Sequence, residues 1–274
     1  MDCANADLIR LGENALFRLS STPVVVRVAR TMEYMADAQK EVQVATWLRS
    51  INFPAARLHD VEGQPLEVDG HPVTFWRYFE GVEGNADHVG DLGKILRRLH
   101  SSAPPAGITL PTDNVLGRVA GRIAAAPVPQ QDKRFLLDRC AELSDGIEQL
   151  AFPFHSTVIH GDAHVGNLMV GLSETILIDF ERFGWGQPEW DLSVMATEYL
   201  TAGWWSADEY RRFVAAYGYD VTEWSGFSLL RATQEMKMTT WIMQNIGESP
   251  EIAREYEHRM QRLRTGEGGN WTPF

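Results

Sequence analysis

Cysteine is almost absent from this sequence: of 274 residues only Cys3 and Cys140 carry a thiol, and they stand far apart. Two distant thiols make no disulfide framework and no Cys-based zinc cluster, and such sparse use fits a reducing compartment. Long apolar runs are missing too. No stretch approaches the length a membrane-crossing helix needs, and residues 1–5 lack the basic-then-apolar order of a secretion signal. The expectation is a soluble, cytoplasmic protein, monomer or dimer, with no membrane partner. Basic residues are in deficit, 25 against 37 acids, for a formal charge of −12. That argues against a nucleic-acid partner, which would need clustered Lys and Arg. The acidic excess is spread along the chain, which reads as a solubility feature compatible with a cationic substrate. Repeats and low-complexity segments do not stand out. A hydrophobic fraction of 44% supports one large or two modest domains.

What is present concentrates at residues 158–181. Two short apolar runs, 168–170 and 175–178, flank a Gly-containing link and read as a small hairpin with polar residues at its ends. Asp162 lies in a Gly-containing loop before it, Asn167 where the loop enters the first strand, and Asp179 where the second strand ends. A carboxylate and an amide oxygen suit a hard cation such as Mg²⁺, which keeps several waters and completes its shell from a nucleotide's phosphates. Asp162 is then free to orient an attacking hydroxyl and accept its proton, which is kinase chemistry. The competing reading, that Asp and Asn here are only turn formers, weakens with three of them at this spacing. A zinc reading of the His160 and His164 pair fails for want of a third ligand; both read as loop supports bonding backbone.

At these residues the chain resembles the aminoglycoside phosphotransferase family of small-molecule kinases. His160-Gly161-Asp162-Ala163-His164-Val165-Gly166-Asn167 matches that family's H-G-D-x-H-x-x-N, and Ile178-Asp179-Phe180-Glu181 its I-D-F/W-E/G/D. The resemblance implies an α+β, protein-kinase-like two-lobe fold. Residues 1–80 would form a nucleotide-binding lobe, a small antiparallel sheet with one helix, and 81–274 a larger, mostly helical lobe with the catalytic loop and acceptor site. It also implies ATP or GTP as co-substrate with Mg²⁺, and a small hydroxylated molecule as acceptor. Asp162 would be the catalytic base, and Asn167 and Asp179 the metal ligands. Asp191 would anchor the catalytic loop, against the plainer reading of a helix N-cap.

The rest of the chain is read around that frame. Residues 8–19 form strand, turn, strand, an ordinary hairpin by itself; in a kinase-like fold it covers the phosphates, with Gly12 and Asn14 supplying a pliable backbone. Residues 24–28 are a β-branched run with one charge, so Arg27 must find an anion. The resemblance puts the nucleotide's phosphates there, where protein kinases carry Lys, and Glu41 on the following helix at 34–50 is the expected carboxylate partner. Residues 54–60 and 71–79 read as further strands, with turns at 62–64 and 68–70. The aromatic run ending at Phe79 is the expected hinge, where adenine would meet backbone around Arg77 and Phe79. Apolar residues at helical spacing mark a helix over 87–101, and shorter helices follow near 117–125 and 132–150. Only about a dozen residues separate Asp179 from Asp191, and no Ala-Pro-Glu follows, too little for the activation segment of a protein kinase. The remainder is helical, with a capping-box pattern at Ser206 and a long amphipathic segment at 226–246. There Arg231 and Glu235 either pair on the helix surface or, as the resemblance implies, contact the acceptor. The leading expectation is an O-phosphotransferase for a small molecule, plausibly an antibiotic, with resistance as its role. The alternatives are a metabolite kinase for a choline-, homoserine- or thiosugar-like substrate, or an inactive kinase-like binding module.

Overall fold

The computed structural model describes residues 6–12 and 14–274; Cys3 and Glu13 lie outside them. In chain order the strands and helices are β1 (Asp7–Leu11), β2 (Asn14–Arg18), β3 (Val24–Ala29), α1 (Met35–Ser50), β4 (Leu66–Val68), β5 (His71–Arg77), β6 (Val82–Glu83), α2 (Val89–His100), α3 (Val119–Ala125) and α4 (Gln130–Glu148). There follow β7 (Thr157–Ile159), β8 (Leu168–Val170), β9 (Thr175–Leu177), β10 (Gly184–Gly186), α5 (Pro188–Thr197), α6 (Ala207–Tyr217), α7 (Phe227–Ile242) and α8 (Pro250–Thr265). The chain falls into two compact units. The first takes the chain up to His88 with Ala103–Pro111 and Val165–Gly184; the second takes Val89–Ser102, Thr112–His164 and Trp185–Phe274.

The first unit is built on an antiparallel five-stranded sheet in the order β1-β2-β3-β5-β4. The valines of β3 make its interior strand, and its register sets Arg27 opposite Leu16 on one side and Thr74 on the other. The single long helix α1 buries Val44, Ala45, Trp47 and Leu48, and with them one acid, Glu41. Residues 54–60 depart from the expected strand: they give only isolated bridges, Ala55 to Leu177 and Leu58 to Trp76. Pro54 has no N–H to offer a ladder, and Ala55-Ala56 carry little β preference. The fifth strand is instead β4, partly within the expected turn at 68–70. A second small sheet, β6-β8-β9, contains the 168–178 hairpin. The ring of Phe79 lies against both Gly81 and Gly171, where an added Cβ would come within 2.8 and 2.7 Å of it. Only glycine fits beneath that ring.

The second unit is helical. One apolar cluster joins α3, α4, α7 and α8 through Ile123, Leu136, Leu143, Met236, Tyr256 and Met260. Helix α7 was expected to show one apolar face, yet Thr233, Gln234, Thr239 and Thr240 are buried along it as well. The threonines donate back to carbonyls four residues earlier and Gln234 donates to Ser193 Oγ at 2.9 Å, so the helix is buried on several sides without orphaned hydroxyls. Helix α2 packs on α6 at Gly93, where a Cβ would stand 2.6 Å from the Phe213 carbonyl. The capping box at Ser206 forms as the pattern predicts. Helix α5 runs into a π-helical turn, Glu198–Ala202, ended by Gly203 in the left-handed region. Among the described residues no helix is long and apolar enough to cross a membrane.

Candidate active site

In the first unit the sequence-predicted residues meet around Arg27. Its guanidinium pairs with Glu41 on α1 and reaches Glu181 Oε2 at 3.4 Å. The Asn14 amide, with its oxygen turned inward, accepts from Arg27 Nη2 at 2.7 Å and Nε at 3.2 Å. Gly12 shapes the turn before it, donating its N–H to the Asn14 carbonyl at 3.1 Å. Lys40 donates to the Glu181 carbonyl at 2.5 Å. Burial pushes the Glu41 carboxyl up to about 8, against the pull of Arg27 and with added repulsion from Asp179 and Glu181.

Asn167 and Asp179 belong to the same unit. The carbonyl of buried Asn167 accepts from Ile178 N at 3.0 Å, tying the two ends of the hairpin. Asp179 is exposed and takes a left-handed backbone, φ 63°, a conformation non-glycine residues enter rarely and often at functional sites. Its neighbour fixes it there. Phe180 is buried, packed 6.0 Å from the Trp76 ring and 5.8 Å from Phe183, so the chain is pinned on one side of Asp179 while the carboxylate faces out. The two side chains offer hard oxygen donors of the kind Mg²⁺ takes. Among the described residues there is no group of three His, Cys, Asp or Glu placed to hold a metal ion. Arg77, by contrast, is exposed and pairs with Asp60 at 3.1 Å.

In the second unit Asp162 projects from a loop that is bolted from beneath. Asp191, fully buried in the first turn of α5, accepts from His160 N at 2.7 Å, Gly161 N at 2.8 Å and His100 Nε2 at 3.0 Å. Burial alone would raise the Asp191 carboxyl, but the bonds from His100 and His160 outweigh it and hold it below the usual range. Tyr217, raised by burial and by the Asp191 charge, keeps its proton, and its hydroxyl lies 2.9 Å from His100 Nδ1, on the side of the ring away from Asp191. Gly161 takes φ 80° directly before Asp162, and His164 Nε2 stands 3.9 Å from Asp162 Oδ2. The Asp162 side chain is 52% exposed on this braced backbone. It is a half-exposed carboxylate on a loop whose backbone is hydrogen-bonded from beneath. Arg231 and Glu235 lie on α7 in the same unit. Glu235 Oε1 accepts from Arg231 at 3.1 Å, Thr201 at 2.6 Å and Arg262 at 3.2 Å; Glu235 is buried and Arg231 partly exposed.

The Phosphotransferase enzyme family model, APH, matches residues 10–230. The chain belongs to that family. This APH chain is also similar in fold to solved structures of low identity. An amicoumacin kinase, hAmiN, solved with AMP-PNP, Ca²⁺ and Ami, has a TM-score of 0.79 at 14% identity, covering 98% of this chain and 90% of that one. The GDP and kanamycin complex of APH(2")-IIIa has a TM-score of 0.68 at 13% identity, covering 97% and 95%. The choline kinase LicA of Streptococcus pneumoniae has a TM-score of 0.63 at 14% identity, covering 96% and 95%. No curated protein matches the chain. These likenesses establish the α+β, protein-kinase-like fold of this APH member.

Sequence reasoning passed over His100, Glu181 and Glu198. Glu181 stood within the quoted motif but was given no work. Glu198 left a faint signal as an acid shortly after the apolar residues 194–196. His100, 91 residues from Asp191, left no local one.

Proposed function

We propose that this phosphotransferase uses ATP or GTP with Mg²⁺ to phosphorylate a hydroxyl of a small molecule, with an antibiotic as the leading acceptor class. The single observation carrying the mechanism is the bracing of Asp162: a carboxylate open to solvent, on backbone whose preceding amides are bound by a buried, ionised Asp191. A base fixed in this way orients a hydroxyl and takes its proton without first losing freedom of its own. Asn167 and Asp179 would hold the divalent ion, which would neutralise charge on the transferring group. Arg27, positioned by Glu41, Glu181 and Asn14, steadies the tail phosphates; its bidentate fork replaces the Lys of protein kinases. Residues 1–80 then serve as the nucleotide lobe, with Gly12 and Asn14 over the phosphates and the backbone of Arg77 to Phe79 at the base, and 81–274 as the acceptor lobe. His160 and His164 support the loop.

The relatives support the class without fixing the acceptor, since their names speak of amicoumacin, kanamycin and choline. A metabolite kinase is therefore the second reading, and the same experiment separates the two. Hydroxylated antibiotics and metabolites are incubated with protein, Mg²⁺ and ATP or GTP and followed by mass spectrometry. Gain of one phosphate on an antibiotic supports the leading reading, gain on a metabolite alone supports the second, and no gain on any compound refutes both.

A further inference from the structure

Lysine is rarely drawn far out of water, and Lys40 on α1 is an exception. Its side chain is 16% exposed, and its ammonium donates at 2.5 Å to the carbonyl of Glu181, 141 residues away in the chain. The carboxylate paired with it, Asp37 one helical turn earlier, stands at 3.5 Å, so the closer contact is to main chain. A charge so withdrawn from water is costly unless it is hydrogen-bonded, which makes the Glu181 carbonyl a partner the fold depends on.

Glu181 is thereby held at both of its ends from α1. Its carboxylate is reached at 3.4 Å by Arg27, itself paired with Glu41, and its carbonyl is held by Lys40, the residue before Glu41. Neighbouring residues of a helix point about 100° apart, so one turn of α1 grips the side chain and the main chain of the same residue from different directions. That residue stands two positions after Asp179. Asp179 takes φ 63°, and a non-glycine residue stays in the left-handed region only where its surroundings over-determine it. Buried Phe180, packed on Trp76 and Phe183, supplies one constraint. Glu181 N points at Asp179 Oδ1 from 3.5 Å, and the peptide that follows it ends on Lys40. Ring packing fixes Phe180; the ammonium fixes the Glu181 carbonyl.

We propose that Lys40 is a positioning residue for the divalent ion: by holding the Glu181 carbonyl against α1 it keeps the Asp179 carboxylate in the orientation that binds metal. This rests on the reading of Asp179 as a metal ligand, and the donor set fits, since the oxygens of Asp179 and Asn167 are of the hard kind that Mg²⁺ takes. Groups that orient metal ligands from behind, without touching the ion, tune metal affinity about 10- to 100-fold. Lys40 acts through the Glu181 backbone, so removal of its ammonium falls on metal-dependent binding and not on the metal-free affinity for nucleotide.

The test separates metal from nucleotide. ATP and GTP are titrated calorimetrically in EDTA and in excess Mg²⁺, and Mn²⁺ binding to the nucleotide-loaded protein is followed by electron paramagnetic resonance. The proteins compared are the wild type, Lys40→Met, Lys40→Arg and Asp179→Ala. Lys40→Met keeps the apolar stem of the side chain and removes the ammonium. It is expected to bind nucleotide in EDTA as the wild type does, to lose about 10- to 100-fold in Mn²⁺ affinity, and to lose the Mg²⁺-dependent part of nucleotide affinity with it. Lys40→Arg, which still donates to the carbonyl, is expected to keep most of that affinity. A merely structural lysine would weaken binding equally with and without metal, so an equal loss overturns the proposal. Unchanged Mn²⁺ affinity in Lys40→Met, or Lys40→Arg no better than Lys40→Met, overturns it too. Should Lys40→Met fail to fold, Lys40→Gln, whose amide nitrogen stops one bond short of the ammonium, is read in the same way. A wild type that binds Mn²⁺ no better than Asp179→Ala removes the reading of Asp179 as well, whereas a wild type that binds it better while Lys40→Met matches the wild type removes only the role of Lys40.

Discussion

The surroundings of Arg27 and of Asp162 solve opposite electrostatic problems. Around Arg27 one guanidinium is shared by two carboxylates and an amide, so negative charge is drawn inward and neutralised by the protein itself. Around Asp162 the loop backbone is held by buried Asp191, His164 Nε2 stands 3.9 Å from the half-exposed carboxylate, and Glu198 feels its like charge. One region gathers acids about a cation; the other holds the loop beneath a half-exposed acid through backbone bonds.

Removing charge from each region should therefore give effects of different kind and sign. The largest is expected at Asp162. Asp162→Ala should lower turnover about 10²- to 10⁴-fold with nucleotide affinity nearly intact, measured by steady-state kinetics beside nucleotide titration; retained turnover would eliminate the base. Next comes Arg27→Ala, which strands Glu41 and Glu181 without their shared cation. A loss of about 3–5 kcal/mol in denaturant unfolding is expected, and a loss below about 1 kcal/mol would mean the cluster does not depend on that cation. Asp191→Asn faces amide hydrogens toward at least one of three donors, for a cost of about 2–3 kcal/mol and slower turnover without a change in nucleotide KM. Stability and rate measured together separate loop support from mere packing.

The smallest effect has the reverse sign. Glu198→Gln removes a buried charge and should stabilise the protein, more so as pH rises. The folded carboxyl near 7 lies above its ordinary 4.5, so the native state holds the extra proton between those values and loses stability as pH climbs through them. The melting temperature of Glu198→Gln over the wild type should be near zero at pH 4.5 and grow to a few degrees at pH 8. A gap that is flat or shrinks with pH would erase the contrast between the regions.

Local pattern made part of this readable in advance. The valines of β3, the apolar stripe of α2 and the capping box at Ser206 are short-range signals, and each yields the element it predicts. Residues 54–60 were misread because apolar alternation says nothing about whether a ladder partner exists; their neighbours in space are Leu177 and Trp76, supplied from elsewhere in the chain. Helix α7 was given one apolar face because sequence counts threonine as polar, while in a helix its hydroxyl bonds the preceding turn and is buried cheaply.

The sequence by itself determined which chemistry is available. The residue types and spacing at 160–181, the lone charge in β3 and the acid on α1 are matters of covalent order, which the fold cannot alter. Only the tertiary structure decided which charges are compensated. His100 reaches Asp191, Glu181 reaches Arg27, and Glu198 reaches no base, because these pairings depend on burial and on distances between residues as much as 154 apart in the chain. Electrostatic energy is set by separation and by exclusion of water, and neither is written in the order of the residues.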